Sequence, residues 1–163
     1  NAWMQSMGYD EQSFKTELKR QIAAAWQRDQ IMDSVPAAME QVRARQILVR
    51  SEDTANDIYT RLQNGMDFGT LAAGYDPITS GELGWFPRGY LTVAELDDAV
   101  FALQPGEYTP VIATDLGYVI IQVEERADDR ALSTDARLTL QQKALDDWLT
   151  AARAESQVEV IVP

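Results

Sequence analysis

Polar groups able to act on a bound chain gather in two places. Tyr75, Asp76 and Glu82 lie on one glycine- and proline-rich stretch, and Thr114 and Asp115 come just before the apolar run that opens at Tyr118. Carboxylates and hydroxyls so placed are able to hydrogen-bond a peptide carbonyl or amide nitrogen, although exposed loop carboxylates are ordinarily just solvated. Apolar groups collect beside them. Leu83, Trp85 and Phe86 share the same loop, and Leu91, Leu96 and Phe101 follow it, which together are the makings of a shallow hydrophobic groove. The competing reading is a plain core, and Phe101 fits that reading best. Glu95, Asp97 and Asp98 form a charge run on a helix and are expected to face water.

Any chemistry here proceeds without imidazole or thiol, because the chain contains no histidine and no cysteine. Disulfides, thiolate metal sites and histidine-based triads are excluded, zinc would have only carboxylates to hold it, and the scattered acids lack calcium-loop spacing. Gly81 and Gly84 lack the strand, spacing and lysine of a nucleotide site. No metal and no cofactor is therefore expected. A formal net charge of -12 repels nucleic acid, and Arg43, Arg45 and Arg50 are followed by acids that prevent a local basic patch. No stretch approaches the ~20 apolar residues that span a bilayer. The opening Asn1, in place of methionine, reads as a processed protein or a piece of something longer.

These groups need a scaffold, and 163 residues with 45% apolar content supply the core for one domain with helical extensions. Phe14, Leu18, Ile22, Ala25 and Trp26 recur at helical spacing, which predicts a helix from Asp10 to about Ser34, stopped by Val35-Pro36. Val42 to Val49 reads as a strand with Ala44, Gln46 and Leu48 on one face and Ile47 and Val49 on the other. Ser51 caps a following helix that Asn64-Gly65 closes, and Asp67 caps a shorter one carrying Phe68, Leu71 and Ala72. A turn-rich loop from Gly74 to Gly89 leads into a short strand or bulge, and a third helix covers Val93 to Phe101. Tyr118 to Val123 is a strand whose partner lies around Thr109 to Ile112. Glu124 to Arg130 is expected to be a solvated connector, a long helix begins at Ser133, Thr134 or Asp135, and Val158 to Val162 reads as a last strand. The fold class is α+β, and the two terminal helices, each with an apolar stripe to cover, are expected to pack on each other or on a missing segment.

The ordered segments VRARQILVRSEDTANDIYTRLQNGMDFGTLA, GELGWFPRG and LDDAVFALQPGEYTPVIATDLGYVIIQVEER, from Val42 to Arg126, resemble the parvulin-type (PpiC, or rotamase) peptidyl-prolyl isomerase domain. The flanks GYDEQSFKTELKRQIAAAWQRDQIM and LQQKALDDWLTAARAESQVEVIVP look like those of exported bacterial foldases and chaperones of the SurA and PrsA type. The resemblance implies a four-stranded antiparallel sheet surrounded by helices. It also implies an isomerase domain over 42–126, with 1–41 and 127–163 forming a helical chaperone module.

Carried over residue by residue, the resemblance implies a proline pocket from Leu83, Leu91 and Leu96, with Trp85, Phe101 and Val119 beside it. Thr114 is similar to the threonine at the end of that groove. Gln46 and Val119 stand where the family carries two histidines, and Asp76 stands for its cysteine or aspartate. The implied catalytic set is then Gln46, Asp76 and Thr114. Two functions follow from this mixture: an isomerase acting on proline-containing segments of unfolded exported proteins, or a catalytically silent domain that binds such clients. The implied setting is extracytoplasmic, with any membrane anchor outside this chain. Leu96→Asp is expected to weaken peptide association while sparing the fold.

Overall fold

The computed structural model describes Gly8 and residues 10–156. Helix α1 (Glu11–Asp33) starts where Asp10 caps it, its carboxylate accepting the Ser13 N–H at 2.7 Å. There follow β1 (Ala38–Val49), α2 (Glu52–Gln63), α3 (Phe68–Tyr75), β2 (Glu82–Pro87), α4 (Ala94–Phe101), β3 (Ile112–Thr114), β4 (Gly117–Ala131) and α5 (Thr134–Glu155). Ser51 and Asp67 cap α2 and α3 as their side-chain types require, the Asp67 carboxylate accepting from the Thr70 N–H at 2.7 Å and from the Thr70 hydroxyl at 2.8 Å. These two hydrogen bonds hold the Asp67 carboxyl below the usual aspartate range. The strand read at Val158 to Val162 lies outside the described residues.

The chain divides into two compact units, one from the residues up to Pro36 together with those from Leu138 onward, the other from Ala37 to Arg137. In the first, the Gln141 amide donates to the Met32 carbonyl at 3.0 Å, joining α5 to the end of α1. Leu18, Ile22 and Trp26, one helical turn apart on α1, remain exposed there.

In the second unit the four strands form one antiparallel sheet in the order β2-β1-β4-β3. Because side chains alternate along a strand, β1 feeds two cores. Val42 and Ala44 join Phe86, Val100, Phe101 and Val119 under α4, while Ile47 joins Ile58, Leu62, Phe68 and Ile120 under α2 and α3. Before β3 begins, the buried Thr109 extends the ladder, its N–H donating to the Ile121 carbonyl at 2.9 Å and its hydroxyl accepting the Ile121 N–H at 3.0 Å.

The expected connector from Glu124 to Arg130 is instead the second half of β4, running to Ala131 against β1. Several of its charges find partners on other elements. Arg45 Nε lies 2.6 Å from Glu124 Oε1, Arg43 Nη2 2.7 Å from Glu125 Oε1, and the Arg126 guanidinium donates to the Phe101 carbonyl at 2.6 Å. Arg45 and Glu124 are 18% and 17% exposed, so removing Glu124 leaves the mostly buried Arg45 charge with only Glu82, at 3.8 Å, as an ion-pair partner. Glu124→Ala is expected to cost about 2 kcal/mol, and Glu125→Ala, whose pair is half exposed, under about 0.5 kcal/mol. Urea midpoints of the two variants check this, and equal losses would refute the distinction.

Candidate functional site

Above the β1–β4 face that carries Gln46, Leu48 and Val119 lies a cavity of about 430 Å³. Its far wall is Leu91, Thr92, Val93 and Leu96, and its end is the β3–β4 turn with Thr114, Asp115 and Leu116. That volume falls in the range of small-ligand sites, roughly 300 to 1,000 Å³. Of the residues singled out in the sequence, Gln46, Leu91, Leu96, Thr114, Asp115 and Val119 thus meet around one space. Leu83 and Phe101 stand behind it, packed in the apolar cluster that includes Leu96. Trp85, which alternates with Phe86 along β2, lies under the Arg130 guanidinium at 4.3 Å. A smaller hollow of about 230 Å³ holds Asp76 and Tyr75 together with Gln46, Leu48 and Gly81.

Each polar group reaches the site with a different freedom. The Gln46 side-chain amide has no hydrogen-bond partner among the described residues, so both its donor and its acceptor are unspent at the cavity that Gln46 lines. The Thr114 hydroxyl donates to the Gly117 carbonyl at 2.8 Å and accepts the Leu116 N–H at 3.3 Å, which shapes the turn and leaves Thr114 only acceptor capacity. Asp76 accepts the Thr79 hydroxyl and the N–H groups of Ile78 (3.1 Å) and Thr79 (3.2 Å). The Thr79 hydroxyl bond, then the backbone bonds, hold its carboxyl below the usual aspartate range, so at neutral pH it is an anion that organises the loop and has no proton to give.

Asp97 requires a correction. It does not face water with Glu95 and Asp98; it is 6% exposed, and its two oxygens accept the Gly89 N–H at 2.9 and 3.0 Å. One residue on, the Tyr90 hydroxyl donates to Asp135 at 2.6 Å, and that bond raises the Tyr90 pKa above its ordinary value. Two anchors thereby fix the turn that holds out Leu91. Eight residues separate Asp97 from Gly89 in sequence, with no local pattern linking them. Leu48 and Leu116 were also missed as wall residues, because alternation shows which face a residue takes but not which part of that face stays uncovered. Leu96 proves to be core as well as wall, at 8% exposure. A charge there attacks the fold along with the groove, and half-buried Leu91 is the cleaner position for that test.

A four-stranded antiparallel sheet with helices on both faces and an apolar cavity at one end of its central strands defines the parvulin-like class of α+β domain. The chain belongs to the family of the PPIC-type PPIASE domain, the peptidyl-prolyl isomerase family, whose model matches residues 15–127. It is 36% identical over 129 residues to the foldase protein PrsA of Geobacillus sp. (strain WCH70), which covers 74% of this chain and 45% of that protein. It is 33% identical over 145 residues to the chaperone SurA of Aromatoleum aromaticum, covering 76% of this chain and 33% of that one. The chain thus spans less than half the length of these curated relatives. The crystal structure of the peptidylprolyl isomerase PrsA from Bacillus cereus superposes with a TM-score of 0.67 at 25% identity, covering 99% of this chain and 69% of that one.

Proposed function

We propose that the unit from Ala37 to Arg137 is a peptidyl-prolyl cis-trans isomerase of low turnover. It acts on proline-containing segments of unfolded polypeptides, as part of a foldase working outside the cytoplasm. One observation carries this reading: an apolar cavity of about 430 Å³ in which Leu91, Leu96 and Val119 surround the unpaired amide of Gln46. Rotation about the prolyl bond makes and breaks no covalent bond, and its barrier of roughly 18 to 20 kcal/mol comes from amide resonance. A site lowers it by gripping the ring, shedding water from the imide and stabilising the twisted, pyramidal nitrogen. Leu91, Leu96 and Val119 grip, Gln46 is able to donate to the imide nitrogen or its carbonyl, and Thr114 accepts. Asp76 holds the loop beside Gln46. The relatives named foldase and chaperone support clients that are unfolded chains, and they support reading the helical segments that flank this unit as a folding-helper module, the unit itself reaching past 42–126 because β1 starts at Ala38 and β4 runs to Ala131.

A second reading is a domain that binds such segments without turning them over. The buried hydrocarbon of Val119, at a position where the family resemblance puts a histidine, favours it. A protease-coupled or exchange-based assay on short proline peptides separates the two. Turnover above the uncatalysed rate is expected, and turnover at background across varied residues preceding proline would leave only the binding reading.

The pH profile is a further check. With no imidazole anywhere in the chain, the cavity has no histidine to titrate, and turnover is expected to stay level from pH 6 to 8.5. On the acid side the sign follows from Asp76. Its folded pKa is lowered, so its contribution to holding the loop is complete above the ordinary aspartate value and fades as pH falls through the depressed one. Stability is therefore expected to drop only below about pH 4. A bell-shaped profile centred near neutrality would contradict this account.

A further inference from the structure

The larger cavity and the smaller hollow share two residues, Gln46 and Leu48, and Leu48 connects them in an unusual way. Its side chain, 40% exposed, lines the larger one. Its backbone belongs to a sheet edge. Strand β2 covers β1 only from Gln41 to Arg45, and the Gly81 carbonyl extends that cover by one bond, accepting the Gln46 N–H at 2.8 Å.

In an antiparallel ladder the backbone groups of successive residues point alternately to the two sides. Gln46 points toward β2, and the register Gln46↔Ile121, Ile47↔Ile120, Leu48↔Val119 is unbroken. Consistent with this, Ile121 turns its own N–H and carbonyl away from β1, to Thr109. Leu48 therefore points its N–H and carbonyl outward, past the end of β2, where no backbone partner meets them among the described residues. They open toward the hollow of about 230 Å³ bounded by Ala72, Tyr75, Asp76 and Gly81.

We propose that an extended client segment adds to β1 at Leu48, exchanging backbone hydrogen bonds with its N–H and carbonyl while its proline ring enters the larger cavity. This rests on the proposed isomerase or binding function and specifies how the chain is held. The hollow is too small for a helix, which is ~10 Å across, so the occupant is extended. An unpaired N–H and carbonyl at a strand edge is the template that strand addition uses. Only one residue of edge is open, so the contact supplies two hydrogen bonds and fixes the segment's register. The client residue opposite Leu48 must donate an N–H, and proline has none. The recognised feature is thus a proline with a non-proline residue at a set distance from it, whatever that residue's side chain.

The test uses the whole chain, isotopically labelled, and an eight-residue alanine-rich peptide with one central proline. Peptide binding is expected to slow exchange of the Leu48 amide and to shift the resonances of Leu91 and Thr114. Methylating the peptide's backbone nitrogens one at a time should cut affinity tenfold or more at a single position and less than twofold elsewhere. Leu48→Pro, tolerable at an edge, should mimic that loss, and Leu48→Ala, which keeps the N–H, should lose less. If Leu91 and Thr114 shift but Leu48 exchanges as before and the methyl scan is flat, strand addition is wrong and the proline cavity stands. If nothing shifts at Leu91 or Thr114 either, both readings fall.

Discussion

Leu91→Asp is expected to lower kcat/KM on a proline peptide, or peptide affinity if turnover is absent, by about 30- to 150-fold. The estimate combines the lost apolar contact with the desolvation of a carboxylate facing the seated ring, together roughly 2 to 3 kcal/mol. The fold should survive, because Leu91 lies outside the helices and strands and is only half-buried, while Tyr90 and Asp97 anchor the turn from either side. Thermal unfolding of the variant within a few degrees of the parent would document that. Leu91→Met, which keeps the apolar volume, should retain most of the affinity. A Leu91→Asp protein that binds and turns over peptide like the parent would show that the cavity is not where the proline goes.

The largest effect on stability is expected from Gly81→Ala. Gly81 sits at φ 72°, and a Cβ on it would stand 2.0 Å from the Gln46 carbonyl oxygen and 3.1 Å from its carbon. The backbones approach this closely because the Gly81 carbonyl accepts the Gln46 N–H. Left-handed backbone costs an alanine about 1 to 2 kcal/mol. Separating the strands to admit the methyl breaks that hydrogen bond and disturbs the β1–β2 register, for a total of about 3 to 5 kcal/mol. For a domain of this size that amounts to a drop in Tm of more than ~10 °C. Gly65→Ala separates backbone strain from crowding. Gly65 has φ 85° but open space around it, so it should cost only the conformational part. Equal losses in the two variants would remove the close approach at Gln46 as a cause.

Much of the scaffold was legible because its causes are local. Ser51 and Asp67 cap helices through groups three residues away, and Asn64-Gly65 ends one by backbone preference alone. The alternation Ala44, Gln46, Leu48 against Ile47, Val49 assigns both faces of β1 correctly, since a pleated strand allows no other arrangement. Charged residues were read less well. Glu124 to Arg130 looks like a solvated connector to anyone counting charges, yet Arg43 and Arg45 on β1 turn it into strand. Asp97 looks like surface until Gly89 is seen to need an acceptor. In each case the partner lies on another element, and single-chain periodicity carries no information about it.

The candidate site divides the same way. Absence of histidine and cysteine is a property of composition, and by itself it settled that no imidazole, thiolate or thiol nucleophile acts here. The ordered motifs gave the family and pointed to Gln46, Leu91, Leu96, Thr114 and Val119. Only the tertiary structure decided that these five share one cavity, that Leu96 is also core, that Trp85 meets Arg130, and that β2 stops short of Leu48. Residue type and spacing dictate which groups are available and which local structure they favour. Whether a backbone edge stays open or an amide stays unpaired depends on where other elements end, and that is set by packing across the sheet.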